Sequence, residues 1–494
     1  MSDPVIWAKA FLVSNNAVTK KYGPWEARDY QAEMLRDRSL RKVYRCGRRC
    51  LPAWVRVMDP KTGDLVRVGR LFARKKGNVP CVDEETGKIT KREKCPVSYN
   101  GEKDVFNVVL SGGREIDATD NHPFYTPDGW KELKELDVGD YVAVPRKLDF
   151  FGDKEIDEYE IKALAYIAGS NSIVGNTLKA PRQPGTPQFK ALEEVFRHFK
   201  CRIVDALGYD TYRVEDDEGL LKLLLKKYKY GFIWKEIPGA VLKLTKRQVA
   251  LFLSYMYAIG GYPFVHYPDG RRKRDVEITF TSSSDYLSHQ IAHLLLRFGI
   301  DATVERSGGK WHVIIDKKED IFLFSKEIGI FGEEHLLDKC VSAAENRPET
   351  DYEIPGRGDI MFKKIVRIEN VGKHKTYDLH VPEYHNFIAN DILVHNTGKT
   401  EVMVVEGLWK ALTKEKRRIL YVTPYETQVN LIFMRIKELI HDSPLVKEQV
   451  ERMINSPYMI EFKNGSAIMG FTTGASSGSG AASVRGQRAD VCVQ

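Results

Sequence analysis

The sequence predicts a multi-domain chain in which an α/β nucleotide-binding fold is split in two by a long insert. Three observations carry that reading: the length, a phosphate-binding loop whose halves lie far apart, and two related apolar helices inside the insert. At 494 residues the chain exceeds one ordinary domain, and ~150 residues per domain suggests about three. Hydrophobic residues make up 43% and aromatics 11%, enough for packed cores and against wholesale disorder.

Charge and cysteine usage narrow the class further. A net charge of +8, from 76 basic and 68 acidic residues, suits a protein that handles nucleic acid and equally suits a solvated charged surface. No run of about 18 apolar residues occurs, so no membrane span is expected. The opening MSDPVIWAKAF lacks the basic flank and apolar core of a secretory signal. The seven cysteines, at 46, 50, 81, 95, 201, 340 and 492, form no CxxC pair. Neither a zinc site nor a disulfide framework is expected, and a reducing cytosol is the expected location. Cys46 and Cys50 sit close together in CGRRC. A disulfide between them would mask Cys50 until reduced, but two free thiols are the ordinary state of such a pair in the cytosol.

The broken loop sets the boundaries of the insert. Residues 397–400 read Thr-Gly-Lys-Thr and run into the helical EVMVVEGLWKAL. This is the back half of a Walker A loop, in which backbone amides and a lysine cradle phosphates at a helix N-terminus. The preceding FIANDILVHN has no glycine where the front half needs one. A front half stands at 41–49, RKVYRCGRR, a strand-like run ending in a glycine turn. Joining Arg49 to Thr397 gives RKVYRCGRRTGKTEVMVVEGL, with Gly47, Gly398, Lys399 and Thr400 in place and Cys46 where the first glycine belongs.

What lies between those halves begins and ends with reactive residues. It opens at Cys50 and closes with His395-Asn396, followed by Thr397. A thiol can attack the carbonyl before it and convert the Arg49–Cys50 amide to a thioester. A hydroxyl after the insert can take over the acyl group, and an asparagine can cyclise onto its own carbonyl and cut the chain. These ends resemble those of the intein family. GREIDATDNHPFYTPDGWKELKELDVGD is similar to its second conserved block, with Thr119 and His122 in the TxxH positions. TYDLHVPEYHNFIANDILVHN is similar to its closing blocks, with Asp378, His385, His395 and Asn396 in place.

The resemblance implies a horseshoe-shaped all-β Hint domain built from 50–155 and 347–396, flanked by extein segments 1–49 and 397–494. It also implies roles. Cys50 is the first nucleophile and Thr397 the second. Thr119 and His122 distort or protonate the first scissile amide. Asp378 tunes the Cys50 thiolate and helps pass the acyl group to Thr397. His385 and His395 polarise the peptide at Asn396. No cofactor is implied for this reaction, and its partners are the exteins in cis. The β-branched secondary hydroxyl of Thr397 is a weaker nucleophile than a thiolate, so ligation is expected to be slow and to compete with hydrolysis.

Residues 156–346 hold an internal repeat. IKALAYIAGSNSIVGN and KRQVALFLSYMYAIGGY each read as an apolar helix ending in a polar or glycine turn. Their order resembles the two-repeat LAGLIDADG homing endonucleases, an α+β (αββαββ)2 fold whose paired helices form the interface. That family holds magnesium with an acid at the foot of each helix. The matching positions here are Ser170 and Gly260, and Lys235 stands at the basic position. An inactive domain is therefore expected over an active nuclease, with residual DNA affinity through KYKYG and GRRKR.

The joined flanks resemble the ATPase domain of viral large terminase subunits, with a helicase as the alternative host. Gln31 would read adenine, Arg48 or Arg49 would contact phosphate, Lys399 the β- and γ-phosphates and Thr400 the magnesium. ATP and magnesium would serve the spliced host, acting on double-stranded viral DNA in the cytoplasm of an infected or provirus-bearing prokaryotic cell. The sequence stops at Gln494, ahead of the expected Walker B acids, so this stretch alone is not expected to turn over ATP.

Overall fold

The two ends of the insert alternate apolar and polar residues over β-branched and aromatic runs, the pattern of strands with one buried face. In the computed structural model they pair with one another. Described are residues 3–16, 21–25, 27, 29–37, 50–170, 177–179, 184–205, 211–229, 236–265, 276–345, 347, 354, 356–381, 384–395, 399–423, 426–455, 458–472 and 489–493. The N-terminal part supplies β1 (Leu51–Pro52), β2 (Arg56–Met58), β3 (Leu65–Arg67), β4 (Lys76–Val82) and β5 (Ile89–Leu110). It continues through β6 (Glu115–Thr119), β7 (Pro123–Thr126), β8 (Gly129–Glu132) and β9 (Tyr141–Pro145). The C-terminal part supplies β10 (Ile360–Leu379), β11 (Asn386–Ala389) and β12 (Ile392–His395).

Two sheets interleave these parts. One runs β9-β10-β5-β4, with β1 on β10 and β6 on β5; the other runs β8-β7-β12-β11. Strands β5 and β10, of 22 and 20 residues, form one long antiparallel ribbon. Its register breaks between Lys375 and Tyr377, and there β10 turns to pair Thr376 with Pro52 and Tyr377 with Leu51. A bulge of this kind re-aims the side chains beside it. It is what brings residue 50 against residues 376–378. The core beneath is apolar and shared by both parts, including Leu51, Val108, Phe124, Leu379, Phe387 and Val394.

The middle of the insert forms its own core, which contains the helices α1 (Glu158–Gly169), α2 (Lys246–Gly260) and α3 (Asp285–Phe298). Helices α1 and α2 pack where glycine permits it: a β-carbon on Gly169 would lie 2.9 Å from the Met256 carbonyl, and one on Gly260 2.9 Å from the Gly169 carbonyl. After α2 the order is strand, strand, α3, strand, strand, with Gly261–Val265, Val276–Ser282, Thr303–Ser307 and Lys310–Ile315 in one antiparallel sheet. The first half departs from αββαββ among the described residues. One strand, Thr177–Lys179, precedes its second helix, and a further helix, Leu220–Lys227, follows its last strand.

The flanks meet in a third core. Trp7, Leu12, Trp25 and Leu35 from before the insert pack with Val405, Leu408, Phe433 and Ile468 from after it. Strands Ala467–Thr472, Arg418–Thr423 and Val491–Val493 pair in parallel, with the helices Lys399–Thr413 and Glu426–Asp442 packed against them. No described helix is long and apolar enough to cross a membrane.

Candidate active site

Cys50 is wholly buried at the point where β1, β5, β6 and β10 converge. Its amide N–H, the nitrogen of the Arg49–Cys50 peptide bond, donates to the Thr119 hydroxyl at 3.2 Å. That hydroxyl in turn donates to Asn121 Oδ1 at 2.9 Å. The Thr119 N–H closes the contact onto the Cys50 carbonyl at 3.2 Å. One turn on, the His122 N–H donates to the Thr119 carbonyl at 2.9 Å, and its buried ring lies against Phe124 at 5.9 Å. The TxxH spacing is thus a hydrogen-bonded turn at the end of a strand, with the threonine set on the nitrogen of the Arg49–Cys50 peptide bond.

The Cys50 sulfur is contacted by two groups that no sequence motif marks. Asn100 Nδ2 and Lys103 Nζ, both on β5, each lie 3.4 Å from Sγ. Burial pushes the Cys50 thiol above its ordinary range, and the Asp378 carboxylate adds to that rise. Lys103, Asn100 and the Thr376 hydroxyl oppose it. Asp378 is thus electrostatically coupled to the thiol, but it favours the protonated form; the thiolate-stabilising side chains are the three that sequence reasoning missed. A signal for them exists only in the pairing of β5 with β10, which sets Asp378 opposite Ser98 and Tyr377 opposite Tyr99. Elsewhere in the core, Cys95 is pushed up to about 12 by burial, with Arg92 opposing the rise. Cys46 lies outside the described residues.

The C-terminal end arrives through β12. Val394 pairs with Phe124 of β7, the strand that follows His122, so the two halves of the site share a sheet. His395 is buried, faces Trp130 edge-on at 4.4 Å and pairs with Asn386 across the β11–β12 hairpin. Asn386 anchors that end: its side chain accepts from Val82 N–H at 2.7 Å and donates to the Val82 carbonyl at 2.9 Å. His385, just before it, takes a left-handed backbone (φ +55°), and its N–H donates to Val381 O at 3.1 Å. Asn396, Thr397 and Gly398 lie outside the described residues, as do Gly47, Arg48, Arg49 and Lys235. Of Gln31, Lys399 and Thr400 only the backbone is described: Gln31 lies in the helix Asp29–Arg36, and the other two open the helix Lys399–Thr413.

At the feet of α1 and α2 the geometry is different. Ser170 is buried and caps α1, while a β-carbon on Gly260 would meet the Phe280 ring at 2.6 Å. That position has no room for a carboxylate. Among the described residues, no group of three His, Cys, Asp or Glu side chains stands together as a metal site.

The site joins a buried cysteine, whose amide donates to Thr119, to a histidine-terminated strand that leads in sequence to an asparagine, the pieces a chain needs to cut and rejoin itself. The family model for the intein splicing domain matches residues 58–396, well over half of the sequence, and the chain belongs to the intein family. Its activity is autocatalytic protein splicing. Among curated proteins it is similar to the replicative DNA helicase DnaB of Rhodothermus marinus, 23% identical over 445 residues, covering 70% of this chain and 46% of that one. Protein RecA of Mycobacterium bovis is 27% identical over 270 residues, covering 52% and 33%. The chain spans about half or less of the length of these relatives. A crystal structure of a DnaB intein from Synechocystis is 14% identical with a TM-score of 0.27, covering 71% of this chain and 99% of that one.

Proposed function

We propose that splicing proceeds from Cys50 to Thr397 through the residues gathered above. The Cys50 sulfur attacks the Arg49 carbonyl; the C–N bond breaks, and the freed amine takes a proton. Thr119, on that nitrogen, and His122, one turn away, twist the amide and assist the proton transfer. The Thr397 hydroxyl then attacks the thioester and Cys50 leaves as a thiol, returned to its protonated state by burial and Asp378. The Asn396 amide nitrogen attacks its own carbonyl, helped by His395 and His385, and releases the amine of Thr397. That amine captures the acyl group from its own ester oxygen, which forms the Arg49–Thr397 peptide bond. The observation that carries this reading is the 3.2 Å contact of Thr119 with the scissile nitrogen. Thr119→Val should slow thiol-induced cleavage at Cys50 by ~100-fold; cleavage at the wild-type rate would remove Thr119 from the mechanism.

For the host, we propose the terminase-like ATPase, with a helicase as the second reading. Lys399 and Thr400 at the start of a 15-residue helix suit a phosphate cradle. The similarity to DnaB, which covers 70% of this chain, is what keeps the helicase as the second reading. On this reading ATP and magnesium bind only after Gly47 and Lys399 are rejoined, and the ligated product acts on double-stranded DNA in a prokaryotic cytoplasm. Equal binding of a fluorescent ATP analogue by precursor and ligated product would count against it. The LAGLIDADG-like middle is proposed to be inactive as a nuclease, because the Gly260 site is filled by Phe280. Residual DNA affinity would rest on its basic segments.

A further inference from the structure

The β11–β12 hairpin, whose last residue is His395, is held at its tip from two sides. The tip is a two-residue turn in which Asn390 (φ +45°) and Asp391 (φ +60°) are both left-handed, as a tight hairpin requires. Asn390 faces the splicing domain: its side chain accepts from Arg56 N–H at 2.9 Å and donates to the Glu115 carbonyl at 3.1 Å. Asp391 faces the inserted domain, where His293 Nδ1 of α3 lies 2.8 and 3.1 Å from its two oxygens. Behind His293, Arg297 Nε donates to His293 Nε2 at 3.2 Å. The same guanidinium reaches the Leu242 carbonyl at 2.7 Å and the carbonyl of Gly63, back in the splicing domain.

This chain of contacts fixes its own proton positions. Arginine can only donate, so Nε2 of His293 must accept, and a neutral imidazole then carries its proton on Nδ1, facing Asp391. Burial pushes His293 below its ordinary range, which keeps the ring neutral. The contact is reciprocated one turn beyond α3. Asp301, buried in the inserted domain, receives Arg114 at 2.9 Å and Lys363 at 2.7 Å from the splicing domain, together with Lys317 of its own. Between the two polar clusters Leu296 of α3 packs in one apolar group with Ile388 and Leu393, residues of the hairpin itself. Removing either side would leave buried charges without partners, the costly case for an interface of this kind.

We propose that the inserted domain is a working part of the splicing apparatus: His293, oriented by Arg297, positions Asp391 and so sets the hairpin that delivers His395 and Asn396. This rests on the splicing reading above. His293 is a positioning residue, acting about four residues, or ~13 Å, from the reacting end of β12. A shift of ~1 Å at such a distance is enough to cost up to ~100-fold in rate.

The test uses the full chain and reads the two cleavages separately: thiol-induced release at Cys50 and cleavage after Asn396. His293→Ala should slow the second by ~10-fold or more while leaving the first within ~2-fold, because only the hairpin is released. His293→Asn, which keeps a donor toward Asp391, should recover most of the loss. An alanine variant that cleaves after Asn396 at the wild-type rate overturns the inference. So does equal loss of both cleavages with no recovery in the asparagine variant, which would mark a failure of folding. A wild-type chain that forms neither thioester nor ligated product would instead overturn the splicing reading itself.

Discussion

Two places in this chain sit where a family resemblance calls for chemistry, and they are built in opposite ways. Around Cys50 the fold brings polar groups to a buried atom: a hydroxyl on its nitrogen, an amide and an ammonium on its sulfur, a carboxylate nearby. At the feet of α1 and α2 it brings glycine, backbone carbonyl and an aromatic ring into contact and leaves no space for a side chain at Gly260. Burying polar groups is costly unless each is partnered, so the first arrangement persists only where the partners are supplied. Close packing fills the second. The contrast separates polar groups gathered around one buried atom from a contact closed by apolar packing.

The sharpest way to break that contrast is to put an acid back. Gly260→Asp forces a β-carbon into contact with Phe280 and the Gly169 carbonyl and should destabilise the inserted domain by about 3 kcal/mol or more. Thermal unfolding of a non-splicing precursor would measure it; a variant as stable as the parent would show that the site can open. If the inserted domain supports the hairpin as proposed, the same variant should also slow cleavage after Asn396.

A smaller effect sharpens the other half. Asp378 raises the Cys50 thiol and Lys103 lowers it, so their removals should move it in opposite directions. Because the thiol is raised, the thiolate is scarce at neutral pH, and the rate of thioester formation should climb with pH through and beyond the usual thiol range. Asp378→Asn should shift that rise to lower pH and Lys103→Ala to higher pH. The rate of alkylation of Cys50 against pH, in an Asn396→Ala background, would follow both. Shifts in the same direction would contradict the electrostatic account.

How much of this was legible in the sequence depends on what fixes each feature. Cys50, His395 and Asn396 announce themselves because peptide rearrangement needs such side chains at the ends of the insert, and Thr119 and His122 through the resemblance of their block to the intein family. Lys103, Asn100 and Thr376 carry no such mark. They reach Cys50 through the pairing of β5 with β10 and a bulge at 375–377, a register that no local pattern encodes. The His293–Asp391 contact is equally silent, since it joins residues 98 apart in sequence across two cores. The paired apolar helices are readable from their periodicity, whereas the helices that follow the last strand of each half, Leu220–Lys227 and Lys318–Glu327, lie outside the αββαββ expectation.

One measurement bears most directly on the central claim. The purified chain, incubated with reductant over a range of temperatures, should convert from 56.5 kDa to a free insert and a smaller ligated product, and the Cys50→Ala, Asn396→Ala double variant should not. Mass spectrometry across the junction should then find Arg49 joined to Thr397 by a peptide bond. Wild-type and variant chains that both stay at 56.5 kDa under every condition would contradict the account.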